Sequence, residues 1–212
     1  MQFTRILAIR HGETAWNKDT RIQGHLDIAL NDTGLWQAQC AADALRDETI
    51  AAVYASDLTR ARQTAEAIAA VQSQAVVTHP GLRERSFGEF EGKTWAELEA
   101  GWPDAALAWR KRVPEFAPAG GENLLQLYER VVGTLSLLAE RHIGEQIVVV
   151  AHGGVMDVLY RAATKVDLQA PRTWQLSNAA INRLLWTPEG LSLVGWGDTS
   201  HLDAAGRDET TA

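Results

Sequence analysis

Ile6-Leu7-Ala8-Ile9-Arg10-His11-Gly12-Glu13-Thr14 is an apolar run that stops abruptly at a cation, an imidazole and a glycine. Continuous apolar residues from Ile6 to Ile9 suit a parallel strand covered on both faces, and Gly12 lets the chain leave the sheet directly after His11. In an open α/β sheet, functional groups gather beyond the carboxyl ends of the strands. Arg10 and His11 stand at such an end. One supplies a permanent charge with planar donors, the other a ring nitrogen that is neutral and nucleophilic near pH 7. Taken alone, these residues are equally compatible with a strand-capping salt bridge beside an incidental histidine.

The same grammar recurs late in the chain. Ile147-Val148-Val149-Val150-Ala151 is a second buried strand, ended by His152-Gly153-Gly154 and followed by a helix expected from Val155 to Thr164. Between the two, strands are expected at Ala51–Ser56 and Ala75–Thr78. Asn31 or Thr33 can cap a helix with Leu35, Ala38, Ala42 and Leu45 on its inner face and Trp36 packed beside them. Asp57 or Thr59 can cap the next helix, through Ala70. Its first turn carries Arg60 and Arg62, where unpaired amides and the positive end of the helix dipole already favour an anion. Leu125, Tyr128, Val132, Leu135 and Ala139 form the stripe of a further helix after the Pro118-Ala119-Gly120-Gly121 break. Ile181–Trp186 and Leu191–Trp196, separated by Thr187-Pro188-Glu189-Gly190, read as a terminal hairpin.

Three connecting stretches are unusual. Ala15 to Leu30, with Trp16, Asn17, Arg21, Gln23 and Gly24, is long for a connector and leaves from the edge that holds His11, as functional loops do. Leu82 to Gly92 is too glycine-rich and charged for a core element. Residues 94–118 read as short helices joined by turns, with Pro103 at an acceptable first-turn position and Trp95, Trp102 and Trp109 suggesting a cap over the sheet or over a site.

The chain has 212 residues, 27 acidic against 20 basic, a formal charge of −7 and one cysteine, Cys40. Such a length suits one α/β domain, assigned to residues 1–202 with a cap inside 94–118, and a disordered polar tail at 203–212. An acidic chain without Lys or Arg runs presents no footprint for nucleic acid or an anionic membrane, so any anion must be captured locally. A lone cysteine allows no internal disulfide and no cysteine-based metal cluster, and Cys40 reads as a small apolar filler on a helix. The apolar start is broken by Arg10 and His11 and lacks a small-residue cleavage site, and no apolar run approaches the roughly 20 residues needed to span a bilayer, so the expectation is a cytoplasmic protein without a signal peptide.

Two strand ends presenting histidines beside glycines, with arginines at one strand end and one helix start, suit a phosphoryl group. Phosphoryl transfer needs charge on the equatorial oxygens and a nucleophile in line with the leaving oxygen. A neutral histidine can attack if its other ring nitrogen donates to a fixed acceptor, and a second histidine, if protonated, can join the arginines around the phosphate. The chain has no Walker glycine loop, no His-x-x-x-His pair and no Gly-x-Ser-x-Gly elbow, the patterns that competing chemistries would need, and no cofactor is expected.

Arg10-His11-Gly12-Glu13-Thr14 resembles the signature of the histidine phosphatases, the phosphoglycerate mutase-like superfamily. Asn17, Arg21-x-Gln23-Gly24, Ser56-Asp57-Leu58-x-Arg60-Ala61-x-x-Thr64, Leu82-Arg83-Glu84 with Gly88, and His152-Gly153 resemble its later motifs in order, from Ile6 to about Leu202. The resemblance implies a three-layer α/β/α fold with a mostly parallel sheet. It makes His11 the phosphorylated nucleophile, Arg10, Arg60 and His152 the phosphate holders, and Glu84 the proton donor, with Asn17, Gln23, Gly24 and Gly153 binding substrate and no metal. Glu89 and Glu91 are rivals to Glu84, and Arg62 is left a solvated helix residue. His25, His79 and His142 read as surface residues, while Asp198, Thr199 and His201 carry no assigned role.

The activity implied is hydrolysis of a small phosphorylated metabolite through phosphohistidine. The alternative is a phosphoglycerate mutase kept phosphorylated by 2,3-bisphosphoglycerate, and a non-catalytic phosphate-binding module is a third reading. Hydrolysis is preferred because a mutase needs a closed cap and additional cationic contacts, which the sequence does not display. Gln23-Gly24, Phe87 to Gly92 and Pro118 to Glu122 resemble the phosphatase branch. Against this, Trp109-Arg110-Lys111-Arg112 resembles the basic cap segment of the mutases. Oligomeric state is not legible.

Overall fold

A computed structural model describes residues 2–203. Except for Asp203, the expected polar tail lies outside the described residues. In chain order the elements are β1 (Thr4–Arg10), α1 (Ala15–Lys18), α2 (Asp32–Ala44), β2 (Ala52–Ala55), α3 (Thr59–Val71), β3 (Val76–Thr78), α4 (Trp95–Gly101) and α5 (Pro103–Arg110). Then follow α6 (Leu124–Ala139), β4 (Gln146–Ala151), α7 (Gly153–Thr164), β5 (Ile181–Thr187) and β6 (Gly190–Asp198).

The strands form one sheet in the order β3-β2-β4-β1-β5-β6. The first four are mutually parallel, and the β5–β6 hairpin closes one side antiparallel to β1. β1 and β4, the two strands that end in histidine, are immediate neighbours, with Arg10 opposite Ala151. Their repeated grammar therefore becomes adjacency in space.

Alternation along these strands divides the core in two, because successive side chains point to opposite faces. Ile6, Ala8, Ile147 and Val149 pack with α6 and α7, whereas Leu7, Ile9, Val148 and Val150 pack with α2 and α3. The result is the expected α/β/α arrangement with helices on both faces of a mostly parallel sheet. A third, separate cluster centres on Phe90, Leu98 and Ala106, ringed by Phe87, Trp95, Trp102, Trp109 and Phe116, so the cap has a small aromatic core of its own.

Several local expectations are corrected. Phe90, in a stretch expected to stay out of any core, is fully buried there, because a single 3-10 turn at Gly88–Phe90 points its ring inward. Asn31 does cap α2, but Leu35 and Trp36 on that helix are exposed. On α6 the expected Leu135 and Ala139 are buried and Tyr128 and Val132 are half-buried against the core, but Leu125 is exposed, and Leu124, Leu127, Val131 and Leu138 complete the inward face. The N-cap of α3 is Leu58, with no side-chain cap, because Asp57 is engaged by Arg83 at 2.6–2.8 Å and the Thr59 hydroxyl donates to Asp27 at 2.8 Å. Cys40 is buried on α2. No helix among the described residues is long and apolar enough to cross a membrane.

Candidate active site

The carboxyl ends of β1 and β4 deliver His11 and His152 side by side, their ring centroids 5.2 Å apart. The His11 amide continues the ladder by donating to Ala151 O at 3.0 Å. Both side chains are almost wholly buried, His11 at 3% exposure and His152 at 0%. The Nδ1 of His11 lies 2.7 Å from Gly12 O. A carbonyl can only accept, so this contact puts the proton on Nδ1 and leaves Nε2 with its lone pair. Gly12 holds that carbonyl in place under tight constraint: its amide donates to Thr64 Oγ1 at 3.0 Å, and a Cβ there would lie 2.4 Å from Gly34 O. Asn178 Nδ2 donates to His11 O at 2.8 Å, fixing the strand end from the other side.

Two arginines flank the imidazoles. Arg60, 1% exposed in the first turn of α3, spends NH1 on Leu26 O and NH2 on Gly24 O, both at 2.8 Å. Arg10 donates through NH1 to Leu176 O. The Nε of each is buried and has no partner among the described residues, and the same holds for both ring nitrogens of His152. Buried donors are ordinarily paired, so a group of unpartnered ones is an arrangement that could hold an anion. Burial, reinforced by the arginine charges, pushes both histidines well below the usual imidazole value. The same lowering favours a neutral His152 in the free protein, so the condition that it be protonated to join the arginines would call for an anion in the site.

Glu84 reaches the same place from the loop before the cap. Its two oxygens accept from the Gly154 amide at 3.0 and 3.1 Å, and Oε1 also accepts from Arg85 N at 2.8 Å. This seat exists because residue 154 is glycine: a Cβ there would lie 2.3 Å from Glu84 Oε1. Gly153 leaves room between Arg10 Nε and Glu84 Oε2, which a Cβ would meet at 3.6 and 3.8 Å. The rivals are placed elsewhere. Glu91 ties its Oε1 to the amides of His25 and Phe87 at 2.9 and 3.0 Å, and Glu89 accepts from Ala119 N at 3.4 Å. Arg130 braces the Glu84 loop, donating to the carbonyls of Gly81, Arg83 and Glu84 while paired with Glu122.

The remaining residues of interest are also located. Asn17 Oδ1 accepts from Thr14 N at 3.1 Å and lies 3.4 Å from Asn178 Nδ2. Gln23 is buried with its Oε1 unpartnered, and Gly24, at φ +52°, supplies a carbonyl to Arg60. Arg62 pairs with Glu66 on the exposed face of α3. His25, expected on the surface, instead has its Nε2 at 2.8 Å from Glu84 O. His79 and His142 are likewise engaged, with the Gly81 amide and the Tyr54 hydroxyl. In the terminal segment Asp198 pairs with Arg183 and caps Ser200, which pull its pKa down to about 2, and His201 meets Ala179 O at 3.1 Å; both are structural links.

A cavity of about 390 Å³ opens beside Arg10, Gly153 and Gly154. Arg85, Arg112 and Arg172 line it from three different segments, with Asp157 and an apolar wall that includes Phe87, Trp109 and Leu127. The expected lack of cationic contacts beyond the phosphate is thereby overturned. Arg112 was visible as part of a basic cap run, but Arg85 and Arg172 carried no signal, because only the folded chain brings residues so far apart to one wall. Among the described residues, no group of three or more His, Cys, Asp or Glu side chains is placed to hold a metal ion.

The chain is 40% identical to phosphoglycerate mutase-like protein 4 of Arabidopsis thaliana, over 97% of this chain and 90% of that one. It is 38% identical to a metal-independent phosphoserine phosphatase of the same plant, over 97% and 86%. A mycobacterial glucosyl-3-phosphoglycerate phosphatase superposes with a TM-score of 0.83 at 30% identity, over 94% of this chain and 100% of that one. An Entamoeba histolytica phosphoserine phosphatase superposes with a TM-score of 0.84 at 27% identity, over 94% and 99%. Residues 6–199 match the family profile throughout, and the chain belongs to the histidine phosphatase superfamily, branch 1.

Proposed function

We propose that this chain is a phosphomonoesterase that works through a phosphohistidine on His11 and acts on a small metabolite whose alcohol part bears a carboxylate. The observation that carries the reading is the convergence of buried, unpartnered Arg10 Nε, Arg60 Nε and His152 nitrogens around a His11 whose Nε2 is the free ring nitrogen. In the first step the Nε2 lone pair attacks phosphorus, the P–O ester bond breaks, and a proton from the Glu84 carboxyl neutralises the leaving alkoxide. In the second, the Glu84 carboxylate takes a proton from water, the water oxygen attacks phosphorus, the P–N bond breaks and inorganic phosphate leaves. Arg10, Arg60 and the amides at the start of α7 supply charge where the phosphoryl oxygens lie. A phosphate dianion would raise the depressed pKa of His152 and recruit it as a further donor.

Arg85, Arg112 and Arg172 account for the carboxylate in this proposal, and the relatives named as phosphoserine and glucosyl-3-phosphoglycerate phosphatases act on molecules with that group. The same arginines, together with the mutase-like relative, favour one second reading: transfer of the phosphoryl group back to the acid rather than to water. A non-catalytic module finds no support in a chain that keeps both the histidine and the carboxylate.

Two assays decide. Rapid mixing with substrate followed by mass analysis should find acid-labile phosphate on His11, and phosphate on His152 or on a serine would defeat the assignment. Incubation of 3-phosphoglycerate with catalytic 2,3-bisphosphoglycerate, following free phosphate and 2-phosphoglycerate together, should show phosphate release. Rapid isomerisation with little release would establish the mutase instead.

A further inference from the structure

Glu84 stands in a stretch without regular structure, between the 3-10 turns at Pro80–Leu82 and Gly88–Phe90, so no helix or strand pairs its backbone. Carbonyls shielded from water in such a stretch must find donors on other elements. Arg130 of α6 brings most of them. Its NH1 donates to Gly81 O at 2.9 Å and Arg83 O at 3.0 Å, and its NH2 donates to Glu84 O at 3.2 Å. Nε and NH2 also donate to the two oxygens of Glu122, both at 2.7 Å. All five N–H donors of the guanidinium are thereby used, and Arg130 does not line the cavity. It has nothing left to offer a substrate.

A second donor reaches the same oxygen. His25 Nε2 lies 2.8 Å from Glu84 O, and because a carbonyl only accepts, that nitrogen carries the proton. The peptide joining Glu84 to Arg85 is planar, so fixing its oxygen fixes its N–H as well. That N–H is the group that donates to Glu84 Oε1 at 2.8 Å. Gly154 N meets the same carboxylate from the other side at 3.0 and 3.1 Å. One rigid peptide therefore connects α6 and the Ala15–Leu30 loop to the direction in which the Glu84 carboxyl group points.

We infer that Arg130 and His25 are positioning residues that hold the Glu84–Arg85 peptide and, through it, aim the carboxyl group at the leaving oxygen. This rests on the phosphomonoesterase reading with Glu84 as its general acid, and extends it to residues that act only through that acid. A general acid works only within hydrogen-bond reach of the atom it protonates, so a turn of this peptide is felt where a proton is needed and hardly elsewhere. Lysine cannot replace Arg130, since a single ammonium can keep the pairing with Glu122 but cannot span three carbonyls.

The test measures kcat/KM, which reports the step that breaks the ester bond, for 3-phosphoglycerate and for p-nitrophenyl phosphate. The proteins are Arg130→Lys, His25→Ala, Glu84→Gln, and each of the first two combined with Glu84→Gln. Either single variant should lose about 10- to 100-fold on 3-phosphoglycerate and less than about threefold on the aryl ester, whose leaving oxygen needs little help. In the Glu84→Gln background the same substitutions should cost less than about threefold on 3-phosphoglycerate, because the group they aim is gone. Equal losses on the two esters, or losses that multiply with that of Glu84→Gln, would make Arg130 and His25 supports of the fold and overturn the inference, as would failure of both single variants to fold. Wild-type kcat/KM on 3-phosphoglycerate in one variant would overturn the assignment for that residue. Glu84→Gln alone separates the two levels. If it slows both esters equally, the general-acid reading falls and this inference with it, whereas a selective Glu84→Gln beside unselective Arg130→Lys and His25→Ala defeats only the positioning.

Discussion

Both oxygens of Glu84 face the Gly154 amide, at the start of α7 and next to Arg10, where the proposed mechanism needs its general acid. Glu84→Gln should slow turnover of alkyl phosphates by roughly 10²–10⁴, the usual worth of a positioned general acid. An aryl phosphate such as p-nitrophenyl phosphate, with a better leaving oxygen, should lose much less, and equal losses on the two substrates would make Glu84 structural. The two buried histidines make a separate prediction. Burial holds both below the ordinary value of 6.5, so between their depressed values and 6.5 the unfolded chain binds more protons than the folded one. Stability is then fully present above about pH 6.5 and is lost as pH falls, by up to about 1.4 kcal/mol per pH unit for each histidine. Urea midpoints measured from pH 7.5 to 5 should decline accordingly, and His152→Asn should reduce the slope. A midpoint constant across that range would mean that the imidazoles charge without cost.

At the scale of elements, the start of α7 is a seat shaped by what it lacks. Gly154→Ala places a methyl group 2.3 Å from Glu84 Oε1, so the carboxylate must move. Alanine is the better helix former by about 1 kcal/mol, which offsets strain in the fold. The expected result is kcat lower by about 10- to 100-fold, a range set by loss of general-acid alignment, with a thermal midpoint little changed. A variant as active as the parent would show that the Glu84–Gly154 contact is dispensable. The cap behaves as an element in its own right because its aromatic cluster is separate from the two cores beside the sheet. Leu98, fully buried at its centre, should cost about 2–5 kcal/mol of local stability as Leu98→Ala. Because Trp109 and Arg112 reach the cavity from this cap, KM should rise more than kcat falls. A fall in kcat at unchanged KM would place the cap's influence on chemistry instead.

Across the whole molecule the charge distribution is uneven. The chain carries a formal −7, yet the carboxyl edge of its sheet gathers Arg10, Arg60, Arg85, Arg112 and Arg172. An acidic exterior around a cationic cleft selects small anions that fit the cleft and repels polyanions that do not. In the proposed mechanism, fixed guanidinium groups supply the charge that a divalent ion provides in other phosphoryl-transfer sites. Turnover should therefore survive exhaustive treatment with a chelator. Loss of activity under EDTA with recovery on adding one divalent metal would show that the arginines do not suffice.

The sequence by itself determined the parallel strands, the chemistry at their ends and the order of motifs that resembles one family. It could do so because a buried strand leaves an uninterrupted apolar run, and the change to Arg-His-Gly or His-Gly-Gly is abrupt. It left the centre of the inward face of α6 open, because Leu124, Leu125, Leu127, Leu135, Leu137 and Leu138 allow two overlapping stripes and packing buries Leu124 and Leu127 rather than Leu125. Nor did it reveal Phe90 as a core residue, since one 3-10 turn among glycines and glutamates reverses an otherwise polar stretch. The tertiary structure alone decided that the two histidines are neighbours, through the pairing of β1 with β4. It also decided that His25 meets the Glu84 backbone, and that Arg85, Arg112, Asp157 and Arg172 share one wall. The physical reason is common to all of these: burial patterns and strand ends are written locally, whereas charges gathered around a ligand come from distant segments and meet only when the chain closes.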